Sequence, residues 1–204
     1  MSQINYQYAF LEEYLPVRYS ANEFQKQCRS DVYSFKAGYC PLHIKNGLCE
    51  RISRIAVVPT SDWVVLFIPA SKSERTFNRY SYLASYIEQK TGIVSTIEAI
   101  ANTYDFESMH GSKKRIDHSD TYCIDSEYFN GKNVILIDDV ITTGKSFHNV
   151  ADRLMRKGAS SITGLFVAKT VHPVESFAET TYHREYKNDG WSYGKEYGAV
   201  ECFR

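Results

Sequence analysis

Residues 134–146 read V-I-L-I-D-D-V-I-T-T-G-K-S, and this stretch decides the fold. Val134 to Ile137 are four apolar residues in a row, which marks a strand buried on both faces, because a strand with one wet face would alternate. Two acids follow, Asp138 and Asp139, then Val140 and Ile141. Small residues come next, Thr142, Thr143, Gly144 and Ser146, with Lys145 among them. Helical spacing then begins, with Phe147, Val150, Ala151, Leu154 and Met155 on one face. The order is strand, loop, helix.

This order aims free backbone N–H groups and the positive end of a helix dipole at whatever lies over the strand's C-terminal end, which suits a phosphate. Asp138 and Asp139 would repel a phosphate set directly on them. The consistent arrangement puts the phosphate on the amides and lets the carboxylates accept hydrogen bonds from a neutral diol, and a ribose 5-phosphate offers both parts. Rival motifs fail on particular residues. A Walker P-loop needs glycine five residues before Gly144, where Asp139 stands. A G-x-G-x-x-G dinucleotide fingerprint is absent. A receiver domain carries its acid pair on the first strand, and too little chain follows Asp139 to complete such a sheet.

The stretch resembles the phosphoribosyl pyrophosphate (PRPP) motif of type I phosphoribosyltransferases: apolar residues, two acids, two apolar residues, then Thr-Thr-Gly-x-Ser/Thr. The resemblance implies an α/β fold with a Rossmann-like, mostly parallel central sheet flanked by helices, and a small hood from the terminal segments. It further implies that Asp138 and Asp139 hold the ribose 2- and 3-hydroxyls. Val140 and the loop of Thr142, Thr143, Gly144, Lys145 and Ser146 would complete the PRPP site. Mg²⁺ would bridge pyrophosphate and ribose oxygens, reached by Asp138 or Asp139 directly or through water. The implied reaction transfers phosphoribosyl to a nitrogenous acceptor, nucleobase or amine, and releases pyrophosphate. In 6-oxopurine enzymes of this family an acid usually stands where this chain has Thr142, which weakens a hypoxanthine or guanine reading.

A chain of 204 residues, 43% hydrophobic, can bury a substantial core as one domain. The expected core runs from about 55 to 172, with residues 1–54 and 173–204 as embellishments or hood. Lys plus Arg equals Asp plus Glu, so the chain has no global field to draw nucleic acid or a membrane. Five cysteines without framework spacing, and no apolar leader or span, point to a reducing cytoplasm. A homodimer is expected by analogy with the family.

Before the motif, Ser20 with Glu23 forms a capping-box pattern, and Phe24, Cys28, Val32 and Phe35 fall at helical spacing up to Gly38. Cys28, Cys40, His43 and Cys49 offer zinc-type ligands, but the paired C-x-x-C spacing is missing, and buried free thiols are the plainer reading. Ile55 to Val58 reads as a short strand, and Trp63 to Ile68 as a buried one. After it, Ala70-Ser71-Lys72-Ser73 leads into a helix with Tyr80, Leu83, Ala84 and Ile87 inward, ending near Gly92. By resemblance this loop binds pyrophosphate, through Ala70, Ser71, Lys72 and Arg75. Solvated charge is the alternative reading of Lys72 and Arg75. The segment R-T-F-N-R, Arg75 to Arg79, is similar to Arg-Gly-Phe-Asn in ComF-type phosphoribosyltransferases, whose cysteine-rich zinc module is not recognisable here.

Val94 to Ile100 reads as a third strand. Residues 102–121 lose periodicity, and their Lys113, Lys114 and Arg115 would neutralise departing pyrophosphate or simply be solvated. In the family a flexible hood closes over PRPP from this region, excluding water. Ser161 to Ala168 forms a further strand whose exit, Lys169 to His172, reaches the same sheet edge. The aromatic tail offers a hood or dimer contact. Besides a transferase, a PRPP-sensing regulator and a ComF-like accessory in DNA uptake remain open as functions.

Overall fold

The structure, a computed structural model, describes residues 6–57, 59–103 and 122–173. Its elements are β1 (Gln7–Tyr14), α1 (Glu23–Lys36), α2 (Leu42–Ile55), β2 (Trp63–Phe67), α3 (Ser73–Thr91), β3 (Ser95–Thr96), β4 (Ile100–Asn102), β5 (Tyr122–Ile124), β6 (Asn133–Ile141), α4 (Lys145–Arg156) and β7 (Ser161–Thr170). Five strands form one sheet in the order β1-β7-β6-β2-β3, with every neighbouring pair parallel. β4 and β5 make a separate antiparallel pair. Among the described residues no helix is long and apolar enough to cross a membrane.

The unbroken apolar run of β6 is explained by two covered faces. Ile135 and Ile137 join Val65 and Phe67 under α1, α2 and α3, whereas Val134 and Leu136 join Val64 and Leu66 under α4. Successive strand residues point to opposite faces, so an apolar residue is needed at every position. The helix faces expected from spacing are the buried ones: Tyr80, Leu83, Ala84 and Ile87 in α3, and Phe147, Val150, Ala151 and Leu154 in α4. Gly92 closes α3 in the left-handed conformation (φ 71°).

The two faces also fix where a ligand belongs. From β2 the chain crosses by α3, over one face, to β3 at the sheet's edge; from β6 it crosses by α4, over the other face, to β7 in the opposite direction. Strand order therefore reverses between β2 and β6. Open α/β sheets bind ligands at that crevice, beyond the strands' C-terminal ends.

Three expectations change. Ile55 ends α2, and Ala56 and Val57 form no strand. The third strand expected over 94–100 is reduced to Ser95 and Thr96, because the chain bends and changes faces: Ile97 packs on the α3 side, whereas Ala99 and Ile100 pack on the α4 side. The capping box lies two residues later than read, with Asn22 Oδ1 accepting from Gln25 N (2.8 Å) and Gln25 Oε1 accepting from Asn22 N (3.0 Å). Arg29 favours that start by holding the preceding turn through the carbonyls of Leu15, Pro16 and Tyr19.

Gln7–Tyr14 lies outside the expected core span, yet it pairs with β7 along its whole length as an edge of the sheet. Exposed charge at Glu13 suits an edge, where it discourages pairing with another chain.

Candidate active site

Asp138 and Asp139 stand near the C-terminal end of β6, just past its last pairing with β2 and still alongside β7, and both are partly buried. Each carboxylate is steadied first by the backbone just after it. Asp139 N donates to Asp138 Oδ1 (2.8 Å), and Val140 N donates to Asp139 Oδ1 (2.6 Å). The Val140 amide is thus used to aim an acid. Burial pushes the Asp138 carboxyl up to about 7 and the charge of Asp139 adds to it, against the Asp139 N–H, Arg79 and the Tyr80 hydroxyl.

α3 supplies the acids' side-chain partners. Arg79 Nη1 donates to Asp139 Oδ2 at 2.8 Å, and Tyr80 Oη to Asp138 Oδ1 at 3.3 Å. Tyr80 is fully buried, stacked on Phe67 with 4.7 Å between centroids and edge-on to Phe35. Lys36, the last residue of α1, adds a second cation, with Nζ 3.7 Å from Asp139 Oδ1. Its carbonyl also accepts from Arg79 Nη2 (3.2 Å), satisfying one of the carbonyls that a helix end leaves over. The sequence contains Arg79 at the end of its R-T-F-N-R segment, but nothing in the pattern tied Arg79, Tyr80 or Lys36 to the acid pair. An arginine and a tyrosine adjacent on a helix that follows the first loop are the available signal.

The loop expected from sequence to hold a phosphate follows the acids directly. Thr142, Thr143, Lys145 and Ser146 are exposed, and Gly144 caps α4 in the left-handed conformation with φ 73°. The left-handed backbone there favours glycine, and a Cβ would also stand a tight 3.2 Å from the His148 ring. The helix start presents free backbone amides and the positive end of its dipole. Thr142 Oγ1 lies 2.8 Å from Thr170 Oγ1, so the exit of β7 reaches the same rim. His172, two residues further, packs edge-on against Tyr19 at 6.0 Å.

The loop of Ala70, Ser71 and Lys72 lies beside the acid pair, because Ile68 N extends the β2–β6 pairing to Ile137 O (2.9 Å). Ala70 N donates to Thr76 Oγ1 (2.9 Å), and the Thr76 hydroxyl donates to Lys72 O (3.2 Å). Asn102 Nδ2 donates to Ala70 O (2.7 Å), so the β4–β5 pair pins this loop from outside. The loop's shape is therefore built, and the Ala70 amide is spent on it. Ser71 and Lys72 are partly exposed at the crevice and Arg75 is exposed. Lys113, Lys114 and Arg115 lie outside the described residues, as does the tail from 174.

Among the described residues, no cysteine joins a ligand group with His43. Cys28 and Cys49 are buried, and burial pushes the Cys40 thiol up to about 12. His43 instead meets Asp31 (Nε2 to Oδ2, 3.1 Å), with Glu12 close by. Among the described residues, these three form the group whose ligand atoms all lie within 4.8 Å. Glu12 comes from β1, Asp31 from α1 and His43 from α2.

A family model described as phosphoribosyl transferase domain matches residues 62–189, more than half of the chain. No curated relative matches. Among solved structures, a hypoxanthine phosphoribosyltransferase from Staphylococcus aureus is 12% identical over 70% of this chain and 75% of its own, with a TM-score of 0.42. A purine phosphoribosyltransferase from Pyrococcus horikoshii is 17% identical over 67% of this chain and 90% of its own, with a TM-score of 0.37. The chain spans only 25% of the length of the allosteric regulatory enzyme of purine biosynthesis, at 14% identity and a TM-score of 0.40. Superpositions this loose carry no weight, and the assignment rests on the domain match. That match opens at β2 and includes the acid pair, the glycine turn and the loop at the crevice, so the chain belongs to the phosphoribosyl transferase domain family.

Proposed function

We propose that this protein binds PRPP with Mg²⁺ and transfers its 5-phosphoribosyl group to a nitrogenous acceptor, a nucleobase or an amine, releasing pyrophosphate. One observation carries the reading. At the point where strand order reverses, an acid pair on β6 and the glycine-capped helix start that follows it stand beside a second preformed loop from β2.

The roles follow from the chemistry of the ligand. The amides of Thr143 to Ser146 and the exposed hydroxyls around them receive the 5-phosphate, and Asp138 and Asp139 accept from the ribose hydroxyls. Ser71 and Lys72 face the pyrophosphate, with Lys113, Lys114 and Arg115 as further cations from the hood. The bond from C1 to pyrophosphate breaks with its electron pair on the leaving group, and the acceptor nitrogen forms the new bond to C1. Positive charge develops on the ribose, and the two carboxylates favour it. The protein's share is orientation and electrostatics.

Hard oxygen donors suit Mg²⁺, and Asp138 fits, with one oxygen turned to Tyr80 and the Asp139 amide. Both Asp139 oxygens are already engaged, so its approach to a metal is through water. Mg²⁺ would supply charge neutralisation for the pyrophosphate. Thr142, bonded to Thr170 rather than offering an acid, argues for acceptors other than 6-oxopurines. The R-T-F-N-R segment lies at the start of α3, where its likeness to Arg-Gly-Phe-Asn is what supports kinship with ComF-type members.

Calorimetry with PRPP, with and without Mg²⁺, tests the reading. Mg²⁺-dependent binding that vanishes in Asp138→Asn/Asp139→Asn is expected; unchanged affinity in that folded double variant would sink it. Screening nucleobases and amines for pyrophosphate release then separates a transferase from a sensor.

A further inference from the structure

A carboxylate meant for a neutral sugar faces a competitor in any divalent cation that accompanies the ligand. Asp139 is handled differently from its neighbour. Its Oδ2 receives Arg79 Nη1 at 2.8 Å, its Oδ1 receives Val140 N at 2.6 Å, and Lys36 Nζ stands 3.7 Å from that same Oδ1. Among the described residues, the hydrogen-bond donors to Asp138, one residue earlier, are neutral, the Tyr80 hydroxyl and the Asp139 amide.

Arg79 is expensive to place there. Its side chain is 10% exposed, and its Nε is buried without a hydrogen-bond partner among the described residues. It is retained by three contacts made at once: the Asp139 ion pair, the carbonyl of Lys36 at the end of α1, and the face of Tyr80 at 5.5 Å. These tie α1 and α3 to the end of β6, and fix the Asp139 carboxylate in one orientation.

We propose that Arg79, seconded by Lys36, is a positioning residue that holds Asp139 for the ribose and keeps it from binding a divalent cation on its own. Two fixed positive charges beside the carboxylate repel an incoming metal and occupy the oxygens it would take. The acid pair is thereby divided, with Asp138 open to the metal as well as to a ribose hydroxyl and Asp139 reserved for the sugar. The division deepens the PRPP reading and rests on it for the sugar's part; its metal half is testable without PRPP.

The test is titration of the ligand-free protein with Mn²⁺ alone, by calorimetry and by the electron paramagnetic resonance of free Mn²⁺. Arg79→Gln should bind Mn²⁺ at least about tenfold more tightly than wild type, and Arg79→Lys should stay close to wild type because the charge is kept. The gain should disappear in Arg79→Gln/Asp139→Asn. Equal Mn²⁺ affinity in wild type and folded Arg79→Gln would overturn the proposal. So would a gain that survives Asp139→Asn, which would place the metal elsewhere, for instance at Glu12, Asp31 and His43. Should Arg79→Gln not fold, Lys36→Met on the half-exposed α1 end takes its place. It should tighten Mn²⁺ binding severalfold, and no change there would overturn the proposal. Wild type that fails to bind PRPP would end the transferase reading while leaving these Mn²⁺ outcomes standing.

Discussion

The Tyr80 hydroxyl lies 3.3 Å from Asp138 Oδ1 although 58 residues of chain separate them, and its ring is fully buried between Phe67 and Phe35. The ring belongs to the core and the oxygen to the site. Tyr80→Phe separates the two functions. Ring packing survives, so stability should fall by about 1 kcal/mol, the ordinary net value of one hydrogen bond. PRPP affinity should fall severalfold as Asp138 loses its side-chain support. Urea denaturation beside calorimetry checks this, and a large stability loss with intact affinity would contradict it.

Gly144 tests the phosphate loop. Alanine there meets both a left-handed backbone (φ 73°) and the His148 ring at 3.2 Å. The backbone alone costs about 1–2 kcal/mol. Gly144→Ala should therefore lower stability by at least that much and weaken PRPP binding tenfold or more, because the turn that aims the amides is the part that shifts. Thermal melts with and without PRPP would show it, and a ligand-induced shift equal to wild type would refute the loop's role.

Gly164 on β7 sets how closely α4 approaches the sheet. A Cβ there would stand 2.8 Å from a Phe166 ring carbon and 2.9 Å from two of Phe147. Phe147 lies in the first turn of α4, so the strain of overpacking is passed to the phosphate loop. Gly164→Ala should cost about 1–3 kcal/mol, and the damage should be visible in PRPP affinity too. Urea denaturation and calorimetry measure the two effects. Wild-type values in both would show that the helix has room to move.

The metal-free protein should lose stability as pH rises from about 4 to 7. Burial, then the charge of Asp139, lift the Asp138 carboxyl from 3.8 to about 7, so the folded chain keeps a proton that the unfolded chain has released. The stabilisation is full below the unfolded value and gone above the folded one. Urea melts at pH 5, 6, 7 and 8, with wild type compared against Asp138→Asn, isolate this group: the difference between the two proteins should change up to about pH 7 and then level off. A constant difference would place the Asp138 carboxyl at its ordinary value.

The order strand, acids, glycine turn, helix was legible because it is local. Apolar runs, left-handed glycine and helical spacing act over a few residues, and Val134 to Leu154 needs no knowledge of the rest of the chain to be read. The same holds for Trp63 to Gly92. What stayed hidden was set by distance along the chain. β1 is a mixed, charged stretch whose partner, β7, comes some 150 residues later, and no local pattern announces an edge strand. The bend at Ile97 depends on two apolar faces that exist only after the sheet has formed.

The site divides in the same way. Asp138, Asp139, Gly144 and the β2–α3 loop could be named from sequence, because chemistry and spacing are written within one motif each. Their electrostatics could not. Arg79 and Tyr80 reach the acids from a helix of another unit, and Lys36 comes from the end of α1, which lies before the part of the chain that the family model matches. Sequence alone determined which groups are offered to a ligand in the proposed site, since those groups are consecutive. Only the tertiary structure decided how strongly each acid is charged and what it is free to bind, because burial and opposing charge arise from packing.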